Sequence, residues 1–421
     1  MATQITNYQC PGCTGPLQFS AATGKLECEF CGSAYAIEEI EALYAAKNEK
    51  AAAAGSQASG EWDAEHMRAY SCPSCGAELM CDVTTAATAC PYCGNPTVVP
   101  GQFSDVQKPD FVIPFQVDKD AAVAGLKQYY KGKPLLPGSF AGGNHLQEIK
   151  GVYVPFWLYD GEAAANVTFS ATRSEVHTTP RERITTTEHY RVERQGTVTF
   201  EKVPVDGSTK MPDAHMDAIE PFDYEKLQPF SMAYLPGFLA DKYDVSAEDC
   251  AKRAEERCRN SAIAAMEATV GGYTTCSVQH ANVNVQQQGA HYALLPVWLL
   301  NTKWQDKNYL FAMNGQTGKL VGDLPVSKGR LAAWFLGLFA AIAAICFLFF
   351  EVEVALIGGA LSAIVVCAIM VGAMKTAQLQ TDANGYIPGS GVHLIHRADH
   401  FTHRTVTREP INQDDSSGKS R

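Results

Sequence analysis

Eight of the fourteen cysteines form four C-x-x-C pairs within the first 93 residues: Cys10/Cys13, Cys28/Cys31, Cys72/Cys75 and Cys90/Cys93. A thiolate is a soft anionic ligand, and two facing C-x-x-C turns supply four of them in the tetrahedral array that structural zinc takes. Fourteen residues separate the pairs of each set, and the second set repeats the first at an offset of 62. The module is duplicated, and the spacing predicts two zinc ribbons, each with four cysteine ligands. Redox dithiols are the competing chemistry, but such a pair normally occurs once, ahead of a helix. Each metal should contribute on the order of 10 kcal/mol to folding a module too small to fold alone. The knuckles read CPGC, CEFCG, CPSCG and CPYCG. A glycine after the second cysteine permits positive φ, whereas Thr14 follows Cys13, which predicts a looser first knuckle.

The remaining chemistry-bearing residues promise less. Cys81 reads as an apolar filler, Cys250 and Cys258 as core residues on a helix face, and Cys346 and Cys367 as packing residues in apolar segments. His393, His396, His400 and His403 would line up on one side of a helix as a metal site, but the same segment reads as strand and turn. No H-E-x-x-H, G-x-S-x-G or dinucleotide fingerprint is present. Gly315 to Leu320 lacks the spacing of a phosphate loop, as does the Gly418-Lys419-Ser420 end. The expectation is a protein that is not an enzyme.

These ligands need elements to hold them. Ala36 to Gly60 is rich in Ala, Glu and Lys and reads as an exposed helix running into a flexible linker. From about Phe103 to Val326 the chain is ordinary and globular, an α+β pattern. Helices are expected from Asp118 and from Ser246, the second placing Cys250, Ala254, Cys258 and Ala262 on one side. Gly151 to Asp160 (GVYVPFWLYD) reads as a buried strand, and Ile184, Thr186, Glu188, Tyr190 and Val192 share one face of another. Pro155 and Trp157 are answered by Pro296 and Trp298, which suggests two related halves, each a helix feeding a Pro-x-Trp strand. Tyr309 to Leu324, with Asn314-Gly315 inside it, reads as a hairpin.

Leu331 to Phe350 and Val354 to Met374 are uncharged runs of 20 and 21 residues. At about 1.5 Å per residue each spans a hydrocarbon core of about 30 Å. Three residues separate them, so they must form an antiparallel transmembrane hairpin. Lys328, Arg330 and Lys375 flank it while the turn carries two glutamates, which places both termini in the cytoplasm of a two-span membrane protein. The expected organisation is therefore ribbon 1 at 1–35, linker at 36–65, ribbon 2 at 66–100, an α+β domain with internal duplication at 101–327, the hairpin at 328–375 and a cytoplasmic polar tail at 376–421.

Net charge is −11, and the N-terminus has neither the basic nor the apolar region of a secretory signal. Residues 1–100 hold four Lys/Arg against eleven Asp/Glu, a balance of −7. Nucleic-acid binding rests on phosphate contacts, and nothing in this stretch could make them. The ribbons read as protein-docking modules.

The tandem CPxCG knuckles, VYVPFWLYD, VPVDGS (Val203 to Ser208), Glu220 to Tyr224, YLPGFLADKYDV (Tyr234 to Val245) and FAMNGQTGKLVGDLP before an apolar hairpin together resemble a bacterial family. These are membrane-anchored tandem zinc-ribbon proteins, often labelled transcription factor IIB-type zinc ribbon-containing proteins. The resemblance implies association with a phage-shock-type membrane-stress protein and an SPFH-domain, virion-core-like protein. The resulting expectation is a non-enzymatic adaptor on the cytoplasmic face of a bacterial membrane, with protein partners and the lipid bilayer as its contacts. A membrane-tethered nucleic-acid- or polymerase-binding factor and a zinc or redox sensor are the alternatives.

Overall fold

The computed structural model describes residues 8–52, the strand segments 67–71, 78–82, 85–89 and 96–98, and residues 107–141, 149–305, 307–348 and 352–410. The chain divides into two compact units. One comprises Met1–Trp157, Asp206–Ser246 and His291–Leu379, the other Leu158–Val205, Ala247–Ala290 and Gln380–Arg421.

The first unit begins with a three-stranded antiparallel sheet, Leu17–Ser20, Lys25–Cys28 and Ala34–Tyr35, followed by the helix Ile37–Ala52. That helix is not wholly exposed as its composition suggests. Ile37 and Ile40 are buried with Leu17, Phe19 and Leu26, so its first turns complete the core of the ribbon. The same core takes in Ala233, and Tyr234 and Phe238 pack against it. The segment Ser231–Phe238 thus fastens the ribbon to the body: the Phe19 amide donates to the Pro236 carbonyl at 2.9 Å, and Ser231 donates to Glu41. Phe238 then stacks at 4.0 Å on Phe115, deep in the body.

The body of this unit contains one set of contacts twice. The strand Phe111–Val112 runs parallel to the segment before Pro296 (Phe111 opposite Ala293), and Leu239–Asp241 runs parallel to the segment before Pro155 (Leu239 opposite Val152). The Gly207 amide donates to the Pro155 carbonyl and the Gly315 amide to the Pro296 carbonyl, at 2.9 and 2.8 Å. Gly207 in turn accepts from Asp244 and Val245, as Gly315 does from Gln116 and Val117. The Trp157 indole donates to Val245 at 3.0 Å and the Trp298 indole to Val117 at 2.9 Å. Each tryptophan therefore bonds the chain just ahead of a helix. Asp118 caps the helix Lys119–Tyr130, its carboxylate accepting from Ala121 at 2.7 Å. The expected hairpin is present as Lys307–Asn314 against Leu320–Gly322. The Asn314 side chain accepts from the amides of Gln316 and Thr317, and Lys319 donates to the Glu220 carbonyl, so this glycine-bearing loop is a structural turn.

Two apolar helices follow, Lys328–Phe347 and Val352–Gly372. Both are long and apolar enough to cross a membrane, and only 6 % and 22 % of their most apolar windows are buried. A helix serving the core of a soluble protein would be covered. They meet along a seam of small residues, Ala355, Gly359, Ala363 and Cys367, spaced four apart on the second helix. At Gly359 a Cβ would lie 3.1–3.2 Å from Ala343, including its backbone, so glycine permits the close approach.

The second unit is built on long antiparallel strands. Glu182–Asp206 pairs with Val392–Pro410 from Glu182 opposite Pro410 to Val198 opposite Val392, with two register shifts. Val392–Pro410, expected as part of a polar tail, thus forms a strand of this sheet, and its alternating pattern is that of a sheet edge. The four histidines lie in this strand, not along one side of a helix. His403 stacks on His189 at 4.2 Å, and no metal-holding group of three or more side chains includes them among the described residues. Alternate burial along the partner strand takes in Val192, Arg194, Val198 and Phe200. Arg194 is fully buried and donates to Asp399 at 2.6 Å, which holds that carboxyl below the usual carboxylate range. The helix Ala247–Ala268 buries Cys250, Ala254, Cys258 and Ala262, the face expected of it. Burial pushes the Cys258 thiol up to about 12, which suits an inert core residue.

Candidate metal centre

Two turns bring the first four cysteines together. In each, an amide after the pair bonds back to the carbonyl of its first cysteine: Thr14 to Cys10 at 2.9 Å and Gly32 to Cys28 at 2.8 Å. The amides of Cys10 and Cys28 donate in turn to Gly15 and Ser33, at 2.7 and 2.9 Å. Such a turn requires a left-handed residue after its second cysteine. Gly32 supplies it at φ +73° and Thr14 at φ +60°. The first knuckle is therefore not looser than the second; it adopts the same turn at a cost in backbone strain, since a β-branched residue disfavours that region. Gly15 follows because a Cβ there would lie 3.0 Å from Phe30 and 3.2 Å from the Cys28 sulfur.

The sulfurs of Cys10, Cys13, Cys28 and Cys31 all lie within 4.8 Å of one another. Cys10 and Cys31 are 3.5 Å apart, and Cys13 and Cys28 3.4 Å. A tetrahedral zinc with bonds of about 2.3 Å needs sulfurs about 3.8 Å apart. The donor set fits zinc in type, number and spacing. Cys10 and Cys28 are buried in the ribbon core, Cys13 and Cys31 exposed at its edge. Four thiolates leave no open coordination position, so the site would be structural rather than catalytic.

Protonation equilibria agree. Ser33, through its side chain and then its amide, lowers the Cys31 thiol to about 6. Cys13 is pushed up to about 12: the Gly15 amide pulls it down, and the Cys31 and Cys28 sulfurs outweigh that pull. Burial opposes ionisation of Cys10, but the Tyr35 hydroxyl and the Gly12 and Cys13 amides lower it all the same. Four crowded sulfurs compete for the same protons, and a divalent cation bound among them would displace those protons. Tyr35, whose hydroxyl lies 3.5 Å from the Cys10 sulfur, and Ser33, 3.3 Å from that of Cys31, surround the ligands; the C-x-x-C spacing gave no hint of either.

Cys72, Cys75, Cys90 and Cys93 lie outside the described residues, as does the side chain of Cys81. Among the described residues the first four cysteines form the one candidate metal cluster.

Residues 9–39 match the model of a Trm112p-like protein. Over 334 residues the chain is 34 % identical to the uncharacterized protein YdjG of Bacillus subtilis (strain 168), covering 79 % of this chain and 94 % of that one. No solved structure matches it.

Proposed function

The chain belongs to the family of YdjG from Bacillus subtilis, and on that premise we propose that it is a membrane-anchored zinc-ribbon adaptor that recruits protein partners to the cytoplasmic face of a bacterial membrane. In this reading Cys10, Cys13, Cys28 and Cys31 hold one structural zinc, and Cys72, Cys75, Cys90 and Cys93 hold a second in the repeated module. The body arose by internal duplication, which accounts for the reciprocal Trp157–Val245 and Trp298–Val117 bonds. The hairpin crosses the bilayer twice, with both termini inside. The partner class follows from the family resemblance: an SPFH-domain or phage-shock-type membrane protein.

One observation carries the reading. The ribbon and the apolar hairpin are both fastened to the same unit, the ribbon through a shared core and the hairpin through its base. Lys133 donates to the Ala373 carbonyl at 2.8 Å, Arg330 to that of Leu136, and the Ser327 amide to that of Leu135 at 2.9 Å. Such a unit would hold a recognition module at a fixed height above the lipid. The acidic balance of residues 1–100 repels phosphate backbones and attracts a basic protein face.

The test is crosslinking of the full chain in native membranes. An SPFH-domain or phage-shock-type protein should be captured, lost with Cys10→Ser, and retained but released from the membrane fraction when 328–375 is deleted. Salt-sensitive DNA binding by the full chain without such a partner would overturn the adaptor reading.

A further inference from the structure

At the base of the hairpin lies a cavity of about 580 Å³. It is lined by Trp304 and Tyr309, by Pro137 and Val326, and by the polar groups of Ser139, Gln305, Lys307, Ser327 and Lys328. We propose that it is a binding site for the headgroup of an anionic phospholipid, an inference that rests on the hairpin being inserted in a bilayer.

Position is the first argument. Ser327 is the N-cap of the first apolar helix and Lys328 its first residue. Leu331 is three residues further on, about 4.5 Å along the axis, and beyond it Trp334 and Leu336 are 45 % and 62 % exposed. A lipid whose headgroup occupied the cavity could lay its acyl chains along this surface without leaving the bilayer. The lysines and aromatic rings of the lining would then stand at the level of the phosphates.

Chemistry is the second. Among the described lining residues there are two ammonium groups and no carboxylate, and Asp306, between Gln305 and Lys307 in the chain, lies outside the described residues. Lys307 and Lys328 are exposed side chains that would meet a phosphodiester at the cavity wall. Seryl hydroxyls and a carboxamide suit the hydroxyls of a polyol headgroup, and the positive end of the helix dipole favours an anion. Trp304 and Tyr309 are half-buried, 6.4 Å apart, and Tyr309 sits 5.6 Å from the buried ring of Phe140. Amphipathic rings so fixed are what proteins place at a membrane interface. The lining is also tied together, since the Ser327 amide bonds to the Leu135 carbonyl and Arg330 to that of Leu136, the residue before Pro137.

The full chain should be reconstituted in phosphatidylcholine vesicles with and without added phosphatidylglycerol, floated, and released for native mass spectrometry. Phosphatidylglycerol should be retained in preference to phosphatidylcholine. Lys307→Gln with Lys328→Gln should weaken retention about 25-fold, at about fivefold per cation near an anionic surface. The Lys307→Arg and Lys328→Arg pair should restore it, and Lys131→Gln, outside the lining, should leave it unchanged. Flotation with no preference between the lipids, or a preference indifferent to the glutamine pair, would overturn the lipid site and leave the anchor standing. Displacement by free glycerol 3-phosphate would also overturn it, assigning the cavity to a soluble phosphate. Failure to float at all would remove the anchor and the lipid site together.

Discussion

The ribbon and the hairpin are both small, apolar for their size and attached to the same unit, yet they dispose of their apolar surface in opposite ways. Leu17, Phe19, Leu26, Ile37 and Ile40 are covered by one another and by Ala233, and the body contributes Tyr234 and Phe238 to close the edge. No described residue of Lys328–Phe347 is buried, and the next helix buries only its seam of small residues. The ribbon satisfies the hydrophobic effect inside the protein, with a metal to complete what about forty residues cannot supply. The hairpin satisfies only its backbone and its contact line, leaving Leu356, Ile357, Leu361, Ile364 and Ile369 outward. In water such a patch is an aggregation liability; in lipid it is matched to its solvent.

Metal removal should separate the two regions most widely. Chelation, or Cys28→Ser, should cost the ribbon on the order of 10 kcal/mol and abolish amide protection across residues 8–44. The hairpin, measured by membrane flotation, should be unaffected. Loss of flotation on chelation would mean that the two regions are not held independently.

A paired substitution sharpens the contrast. Phe19→Ala removes a buried ring and should destabilise the ribbon by about 3–5 kcal/mol, with no effect on membrane insertion. Ile364→Arg places a cation on a side chain that is 54 % exposed. On a water-facing surface it should change stability by less than about 0.5 kcal/mol. In a bilayer it should cost about 3 kcal/mol of insertion, read as a loss of membrane-integrated protein. A neutral Ile364→Arg would show that the hairpin faces water.

The smallest effect lies within the metal centre. Thr14→Gly relieves a left-handed β-branched residue but adds freedom to the unfolded chain. The net should be a gain of about 0.5 kcal/mol, seen in the thermal midpoint of the zinc-loaded protein, whereas Gly32→Ala at the matching turn should destabilise it. Equal losses at both positions would refute the equivalence of the two knuckles.

What could be read along the chain was whatever local geometry enforces. The C-x-x-C turn is closed by bonds within five residues, so Cys10, Cys13, Cys28 and Cys31 announced their cluster through spacing alone. The apolar helices were legible because crossing a bilayer is a matter of length and uncharged composition, and the face of the helix bearing Cys250 and Cys258 because its period is local. The likeness of Pro155-x-Trp157 to Pro296-x-Trp298 could be read along the chain, but the bonds of the two indoles could not, since Val245 and Val117 lie 88 and 181 residues from the indoles that bond them. The same holds for the role of Ile37 and Ile40, whose alanine- and glutamate-rich helix reads as solvated until the ribbon core reaches it. Phe238 was one aromatic among many until its contacts with Phe19 on one side and Phe115 on the other made it the junction of ribbon and body. The segment around His393 to His403 is the clearest instance. Its composition is compatible with helix, strand or tail, and it became a strand because Glu182–Asp206 presented unpaired amides and a buried Arg194 that required the Asp399 carboxylate. Local spacing specifies ligands, caps and spans because their energies are settled within a few residues; the partners of a sheet edge, a buried charge or an aromatic junction are settled only when distant parts of the chain are brought into contact.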